Sequence, residues 1–265
     1  MNDLLAAALL GVVQGITEFL PISSTAHLAL AERALGLDPS RYGLSFTVAL
    51  HLGTLVAVLI YFFRTWLELI VDAFRGRFGL LILLVIATIP AGIAGILFDE
   101  AVEGPLRDPI VIAAALAIGS VVFLLAESMG RANERAEPTR RDALVIGIAQ
   151  ALALVPGLSR SGMTISAGLV LGIRRDQAAR LSFVLSTPAV VAAAAKTFLD
   201  ASKADALLAQ PEPLAVGFAA SFISGLIAIW GLVRFLRRNS LAWFVPYRFL
   251  LAAAILVALA LEGLG

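Results

Sequence analysis

The sequence predicts an all-α membrane protein, a polytopic bundle of helices, and two observations support this prediction. Hydrophobic residues make up 60% of the 265 positions and charged residues only 15%, whereas a soluble domain usually carries about 25% charged residues. Several apolar runs also reach the roughly 20 residues that a helix needs to cross a bilayer. Since no linker-like stretch divides the chain, we expect one integral membrane domain over residues 1–265.

Composition also excludes several kinds of site. The chain has no cysteine, which excludes disulfides, thiolate metal sites and cysteine nucleophiles. Two histidines cannot form a three-histidine zinc site, and a net charge of +1 gives no sign of a nucleic-acid partner. The apolar run from Leu4 to Val13 lacks the positive flank of a secretory signal, so we expect it to belong to the mature protein.

Six apolar runs have membrane-spanning length, namely 44–63, 80–98, 109–127, 181–199, 214–233 and 245–262. The loops after the first, third and fifth runs carry arginines: Arg64, Arg75, Arg77, Arg131, Arg135, Arg140, Arg141, Arg234, Arg237 and Arg238. The other loops are acidic or mixed, with residues such as Asp99 and Asp205. Because positive loops face the cytoplasm, these charges predict that the six runs alternate in direction.

Two further apolar stretches are interrupted and predict re-entrant hairpins. Residues 4–37 are broken between Glu18 and Thr25, and residues 143–173 between Pro156 and Gly162, which leaves halves too short to span. Residue 142 and the turn at Arg174 are both predicted to be cytoplasmic, so the second stretch must enter and leave on one side. The sequence thus predicts two inverted repeats, 1–128 and 143–265, each a broken hairpin followed by three spanning helices. Such repeats place their site at the interface between them.

The first hairpin break carries a cluster of polar residues. Gln14 and Glu18 are four residues apart and share one helix face, while Ser23 or Ser24 is placed to cap the next helix and His27 lies on the same face as Ser24. A charged side chain at the centre of a membrane helix costs about 2.5–3.5 kcal/mol, so Glu18 needs polar partners. A salt bridge or cap set that only stabilises the hairpin is the alternative to a functional site.

The second break combines features that bind anions. Pro156 and the glycine after it stop one half-helix, and Ser161 and Gly162 are expected to start another, whose N-terminus presents free N–H groups and the positive end of its dipole. Arg160 adds a guanidinium that fits phosphate. The alternative is an arginine at the interface that extends to water. If the two hairpins meet tip to tip, Glu18 and Arg160 enclose one phosphorylated group with equipment for phosphoryl transfer.

These two segments resemble the motifs of the undecaprenyl-diphosphate phosphatase family, also called the bacitracin-resistance family. Residues 14–27 are similar to its motif E/Q-x-x-x-E-F-L-P-x-S-S-T-x-H and residues 156–164 to P-G-x-S-R-S-G-x-T, and the similarity covers the whole chain. The resemblance implies hydrolysis of undecaprenyl diphosphate to the monophosphate lipid carrier of cell-wall synthesis. It also implies an inner-membrane location, an active centre open to the periplasm, and a divalent cation, either Mg²⁺ or Ca²⁺.

The resemblance implies a role for each matching position. The expected catalytic residues are Glu18, Ser24, His27 and Arg160. The expected substrate-binding residues are Gln14, Ser23, Thr25, Ser159, Ser161, Gly162 and Thr164. Glu18 is the expected metal ligand. Gln14 stands where many members have a second glutamate, so a cation here would depend on Glu18, on water and on the diphosphate itself.

The residues leave the mechanism and the partners partly open. Ser24 activated by His27, a water activated by Glu18, and His27 itself are three candidate nucleophiles. The expected partners are a polyprenyl diphosphate and membrane lipid, and a homodimer is left open. A transporter that flips a polyprenyl phosphate lipid without hydrolysis is the rival function, because inverted repeats with broken helices are common in carriers. A purely structural bundle would have no reason to place these charges at hairpin breaks.

Three features outside these clusters are expected to be structural. His51 begins a spanning run, where a lone histidine is more often a packing or interface residue. Gly92 and Gly95 resemble a small-residue helix contact, and the segment from Ser221 to Gly225 resembles a second one.

Overall fold

A computed structural model describes residues 2–130, 135, 138–200 and 209–262. The predicted loop residues Arg131 and Asp205 lie outside this range. The described residues are helical, with no β-strand beyond one isolated bridge between Arg135 and Ile173. In chain order the α-helices are α1 (Asp3–Phe19), α2 (Ser24–Ala34), α3 (Pro39–Tyr42), α4 (Leu44–Tyr61), α5 (Phe63–Phe74), α6 (Gly79–Leu97), α7 (Asp99–Glu103), α8 (Pro109–Met129), α9 (Arg140–Leu152), α10 (Arg160–Val170), α11 (Arg175–Leu199), α12 (Pro211–Leu236) and α13 (Val245–Glu262). Two short 3₁₀ turns, Pro105–Arg107 and Leu241–Phe244, precede α8 and α13.

The described helices include five that are long and apolar enough to cross a membrane, over 79–97, 109–129, 175–197, 211–236 and 241–261. The chain is therefore a multi-pass membrane protein, as the sequence predicts. The first predicted run becomes α4, which is followed by α5 at a bend of 73° at Phe62. These two helices add a sixth span only if the bent pair is taken as one broken span. The segment after α4 was expected to be a basic loop, and it is instead the amphipathic helix α5, none of whose residues is buried.

Both predicted hairpin breaks are present as helix breaks. The α1 helix ends at Phe19, and α2 starts at Ser24 after the segment Pro21–Ser23, called here the first tip. The α9 and α10 helices pack against each other and are joined by residues 153–159, called here the second tip. The four half-helices have 17, 11, 13 and 11 residues, which is short of the roughly 20 needed for a span.

The chain divides into two compact units. One unit comprises Met1–Leu20, Ser24–Phe78 and Phe183–Leu232. Its core is a cluster of apolar side chains from α1, α2, α3 and α4 that includes Leu10, Leu28, Phe46 and Leu50. Small residues bring the helix axes of this unit close together. A Cβ on Gly15 would overlap the Ser224 hydroxyl, and a Cβ on Gly53 would lie 2.6 Å from the Phe218 carbonyl oxygen.

The predicted helix contact of the segment from Ser221 to Gly225 is thus confirmed, whereas the contact predicted at Gly92 and Gly95 is wrong. Nothing among the described residues lies within 4 Å of a Cβ placed on either of these two glycines. Without a Cβ, Gly15 lets the α1 backbone approach α12, and van der Waals contact between close backbones is the main attraction between helices in lipid. A pair of glycines spaced for contact needs a facing helix, and the sequence does not say where one lies.

The other unit comprises Pro21–Ser23, Gly79–Ser182 and Val233–Gly265, so it contains both tips. Glycines again allow close packing, because a Cβ on Gly147 would lie 2.6 Å from the Ala87 carbonyl oxygen and one on Gly162 would overlap the ring of Phe123. In this unit the single Nε–H of Arg175 is shared between the two carboxylate oxygens of the buried Glu127, each at 3.1 Å, and Nη2 donates to Oε2 at 2.5 Å. The Leu241 amide donates to Glu127 Oε1 at 2.8 Å and so holds the start of the last span.

Candidate active site

The first polar cluster converges on one carboxylate oxygen. Glu18 lies at the end of α1, and its Oε2 accepts hydrogen bonds from Gln14 Nε2 at 3.1 Å and from Ser24 Oγ at 2.8 Å. The helical spacing of four residues places Gln14 beside Glu18, and the break at the first tip turns the chain so that Ser24, the first residue of α2, faces the same oxygen. Three of the residues predicted for the site are therefore in direct contact.

His51 joins this cluster, contrary to the expectation that it is a packing residue. Its Nε2 lies 3.3 Å from Glu18 Oε2, and its Nδ1 lies 2.8 Å from the carbonyl oxygen of Thr47, one turn earlier on α4. Since a carbonyl oxygen only accepts, Nδ1 carries the proton in this contact, and Nε2 donates to the carboxylate only when the ring is doubly protonated. The side chain of Glu18 is only 7% exposed, so this contact forms away from bulk solvent.

Gln14 is fully buried and leaves one atom unsatisfied. Its amide nitrogen donates to Glu18, and its Oε1 has no hydrogen-bond partner among the residues that the structure describes. Buried polar atoms without a partner are uncommon in native proteins and often mark the place of a water, an ion or a ligand group. The two remaining predicted residues of this segment, Thr25 and His27, lie half-buried on the first turn of α2.

The second cluster is built around the start of α10, which begins at Arg160, one residue earlier than expected. Ser159 is the N-cap, and its Oγ accepts from the Gly162 amide at 3.4 Å and lies 3.2 Å from Ser161 Oγ. Both serines are buried. The first amides of α10 and the guanidinium of Arg160 thus lie at one helix N-terminus, an arrangement that favours a bound anion.

Thr164 has its hydroxyl engaged within the protein. It donates to the Arg160 carbonyl oxygen at 2.8 Å and shares a short hydrogen bond with Ser182 Oγ. Because Gly162 has no side chain, the backbone of α10 can approach the ring of Phe123. In this conformation Thr164 therefore fixes the helix that carries Arg160.

Ser23 and Ser159 hold the same uncommon backbone conformation. Each has φ of +73°, and each directly precedes the second half-helix of its hairpin. Serine adopts positive φ rarely, and such strain of about 1–3 kcal/mol is found preferentially at functional sites. Ser23 Oγ also accepts a 3.1 Å hydrogen bond from the Gly157 amide, so the first tip contacts the second.

Sequence reasoning missed two residues here. His51 gave only the signal of a lone histidine near the start of an apolar run. Arg248 lies four residues into the last apolar run, fully buried, with hydrogen bonds to both tips. A charged residue inside a spanning segment is a known indicator of a functional position, and this indicator could have identified Arg248.

Comparison with known proteins identifies the family of this chain. The profile of the family described as "Bacitracin resistance protein BacA" matches residues 7–254. A relative named undecaprenyl-diphosphatase from Rubrobacter xylanophilus is 46% identical, over 98% of this chain and 100% of its own length. Relatives of the same name from Thermodesulfovibrio yellowstonii and Mycobacterium ulcerans are each 43% identical over at least 95% of both chains. The resemblance seen in the two motifs is confirmed, and the chain belongs to the bacitracin resistance protein BacA family.

Proposed function

We propose that this chain hydrolyses undecaprenyl diphosphate to undecaprenyl phosphate and inorganic phosphate, and so returns the lipid carrier to cell-wall synthesis. The relatives named for this activity cover nearly the full length of the chain. The observation that carries the proposal is the hydrogen bond from Ser24 Oγ to Glu18 Oε2, because it joins a hydroxyl to a buried carboxylate at a break between two helices. A carrier that only moves a lipid needs no such pair.

Substrate binding is assigned to the second cluster. Arg160 and the first amides of α10 bind the diphosphate, whose charge matches the guanidinium and the positive end of the helix dipole. Ser159 and Ser161 hold the first turn of this helix through their contact with each other.

The reaction that fits these residues is displacement at the terminal phosphorus. Ser24 Oγ passes its proton to Glu18 and forms a bond to phosphorus, while the bond between phosphorus and the bridging oxygen breaks and undecaprenyl phosphate leaves with the proton from Glu18. The ionised Glu18 then takes a proton from water as its oxygen bonds to phosphorus, the bond from phosphorus to Ser24 Oγ breaks, and Ser24 recovers that proton from Glu18 as inorganic phosphate leaves. His51, through its contact with Glu18, holds the carboxylate in place for both steps. Direct attack by a water and attack by His27 are the competing routes.

The donor groups present fit a divalent cation that has few protein ligands. The described residues contain no group of three acidic, histidine or cysteine side chains that could hold a metal. Glu18 offers one carboxylate, and Gln14 Oε1 is a buried oxygen without a partner, so these two residues would hold Mg²⁺ or Ca²⁺ while water and the diphosphate complete its shell. When bound, the cation would neutralise charge on the phosphates.

Three finer features belong to the same proposal. The two broken hairpins are re-entrant and related as inverted repeats, which the shared φ of Ser23 and Ser159 supports. The protein lies in the inner membrane with its active centre open to the periplasm, which the arginine-rich loops of the opposite side support. A homodimer is open to measurement of the mass in detergent.

The test is phosphate release from a short-chain prenyl diphosphate in detergent, with and without a divalent cation. We expect release by the wild type and a loss of at least about 100-fold in both Arg160→Ala and Glu18→Ala. Arg64→Ala, at an exposed position on α5, is the matched control and keeps the wild-type rate. Equal and negligible release by wild type and variants would instead support the lipid transporter.

A further inference from the structure

Arg248 is a buried charge that the proposed reaction does not use. It lies in the first turn of α13, within an apolar spanning segment, and it is 0% exposed. An arginine at the centre of a membrane helix costs about 2.5–3.5 kcal/mol on insertion scales. Packing alone does not require a guanidinium at this position, since an apolar side chain of similar volume would avoid the cost.

The hydrogen bonds of Arg248 join the two tips. Its Nη1 donates to the carbonyl oxygen of Pro21 in the first tip at 3.1 Å. Its Nη2 donates to the carbonyl oxygen of Gly157 in the second tip at 2.9 Å and lies 3.4 Å from that of Leu158. One rigid planar group therefore contacts the backbone two residues before Ser23 on one side and at Gly157 and Leu158, directly before Ser159, on the other.

The same guanidinium is fixed to the spanning helix α8. Nε donates to Ser120 Oγ and Nη2 to the Leu116 carbonyl oxygen, both at 3.1 Å, and the group lies 4.7 Å from the ring centre of Phe123. Gly119 provides the space, because a Cβ there would overlap Arg248 Nη2. Among the described residues, all hydrogen-bond partners of Arg248 are uncharged oxygens, so its role does not depend on an ion pair.

We propose that Arg248 is a positioning residue of the phosphatase reaction: it holds the first and second tips in one fixed arrangement relative to α8, so that the residues following each tip are correctly placed for catalysis. The Gly157 amide completes this arrangement through its hydrogen bond to Ser23 Oγ. Misplacement of catalytic groups by about 1 Å can cost about 100-fold in rate. The inference rests on the proposed function, and it predicts an effect on kcat rather than on substrate affinity.

The first test compares the kinetics of Arg248→Met and Arg248→Lys with the wild type, per amount of folded protein. We expect Arg248→Met to lower kcat about 100-fold while KM changes less than about 3-fold. Arg248→Lys keeps the charge but not the planar fork, so it restores only part of kcat. Arg175→Met removes a different guanidinium, the half-buried partner of the buried Glu127, and is expected to lower the melting temperature while kcat stays unchanged. A wild-type kcat in Arg248→Met overturns the proposal.

A second variant keeps the inference testable if the Arg248 variants do not fold. Gly119→Ala adds one methyl group that forces Nη2 to move, while alanine favours the helix. We expect kcat to fall about 10-fold without loss of thermal stability. The matched control is Gly92→Ala in α6, where nothing among the described residues lies within 4 Å of the added methyl. Equal kcat in both glycine variants contradicts the assignment.

Hydrogen exchange provides a readout that does not depend on activity. In Arg248→Met we expect faster exchange of the amides of Val155, Gly157 and Leu158, and no change in α6. If the wild type releases no phosphate but this exchange increases, the proposed function fails and with it the catalytic role of Arg248, while its hold on the two tips stands. If the wild type is active and neither exchange nor kcat changes in Arg248→Met, the positioning role alone is wrong.

Discussion

The hydroxyl of Ser24 donates a 2.8 Å hydrogen bond to Oε2 of Glu18, although the two residues belong to different helices. This contact forms because the chain turns at the first tip, within the four residues between the end of α1 and the start of α2. The same oxygen is approached by Gln14 and His51. The acid–base group of the proposed reaction therefore has defined partners, and each of them gives a measurable expectation.

Replacement of Glu18 by glutamine removes the proposed base and keeps the size of the side chain. We expect kcat for phosphate release to fall by about 10²- to 10⁴-fold, the usual contribution of a positioned acid–base group. Glu68→Gln, on the exposed helix α5, is the matched control. A rate within about 3-fold of wild type for Glu18→Gln would exclude Glu18 as the base.

Rapid-quench experiments with a substrate labelled on its terminal phosphate identify the nucleophile. Because Ser24 already shares its proton with Glu18, we expect an acid-stable phosphoserine that disappears in Ser24→Ala. An acid-labile label that disappears in His27→Ala points to His27 as the nucleophile. No label on the protein at any quench time supports direct attack by water.

Replacement of His51 by alanine removes one contact to the carboxylate of Glu18. A hydrogen bond to a charged group is worth about 1.5–3 kcal/mol, so we expect kcat to fall about 10- to 150-fold. Thr88→Ala, which removes a hydroxyl bonded only within α6, serves as the control. If His51→Ala has normal kinetics, the histidine only packs, as first expected from the sequence.

Replacement of Gly15 by alanine overpacks the contact between α1 and α12. The new methyl group would overlap the Ser224 hydroxyl and lie 2.5 Å from the Ser221 carbonyl oxygen. We expect a loss of about 1–3 kcal/mol in stability, measured by thermal unfolding in detergent. Gly95→Ala meets nothing within 4 Å among the described residues and should leave the melting temperature unchanged or slightly higher.

Asp142 should make stability depend on pH. Burial raises the pKa of this carboxyl, but its hydrogen bonds with Thr139 and Arg135 outweigh burial and hold the pKa below its usual value. A lowered pKa in the folded state stabilises the protein above the unfolded pKa of about 3.9, and this contribution is lost as the pH falls below that value. The difference in melting temperature between wild type and Asp142→Asn should therefore be largest near neutral pH and shrink in acid. An increase of the difference in acid would contradict this assignment.

The sequence by itself determined the class of protein, the helix breaks and most of the residues proposed for the site. Apolar runs of spanning length identify membrane helices because the lipid sets that length. The breaks between Glu18 and Thr25 and between Pro156 and Gly162 were predicted because proline and glycine act on the local backbone. The contact between Gln14 and Glu18 follows from helical spacing alone. The family was also evident from two short motifs, because they hold most of the candidate chemistry.

Only the tertiary structure decided which distant residues join these motifs. His51 is 33 positions beyond Glu18, and Arg248 is more than 200 positions beyond Pro21, and no local pattern connects either pair. Their contacts depend on how helices pack, which small residues such as Gly119 permit and which the sequence of one helix does not encode. The same reason explains Gly92 and Gly95, whose spacing suits a helix contact while no helix faces them among the described residues.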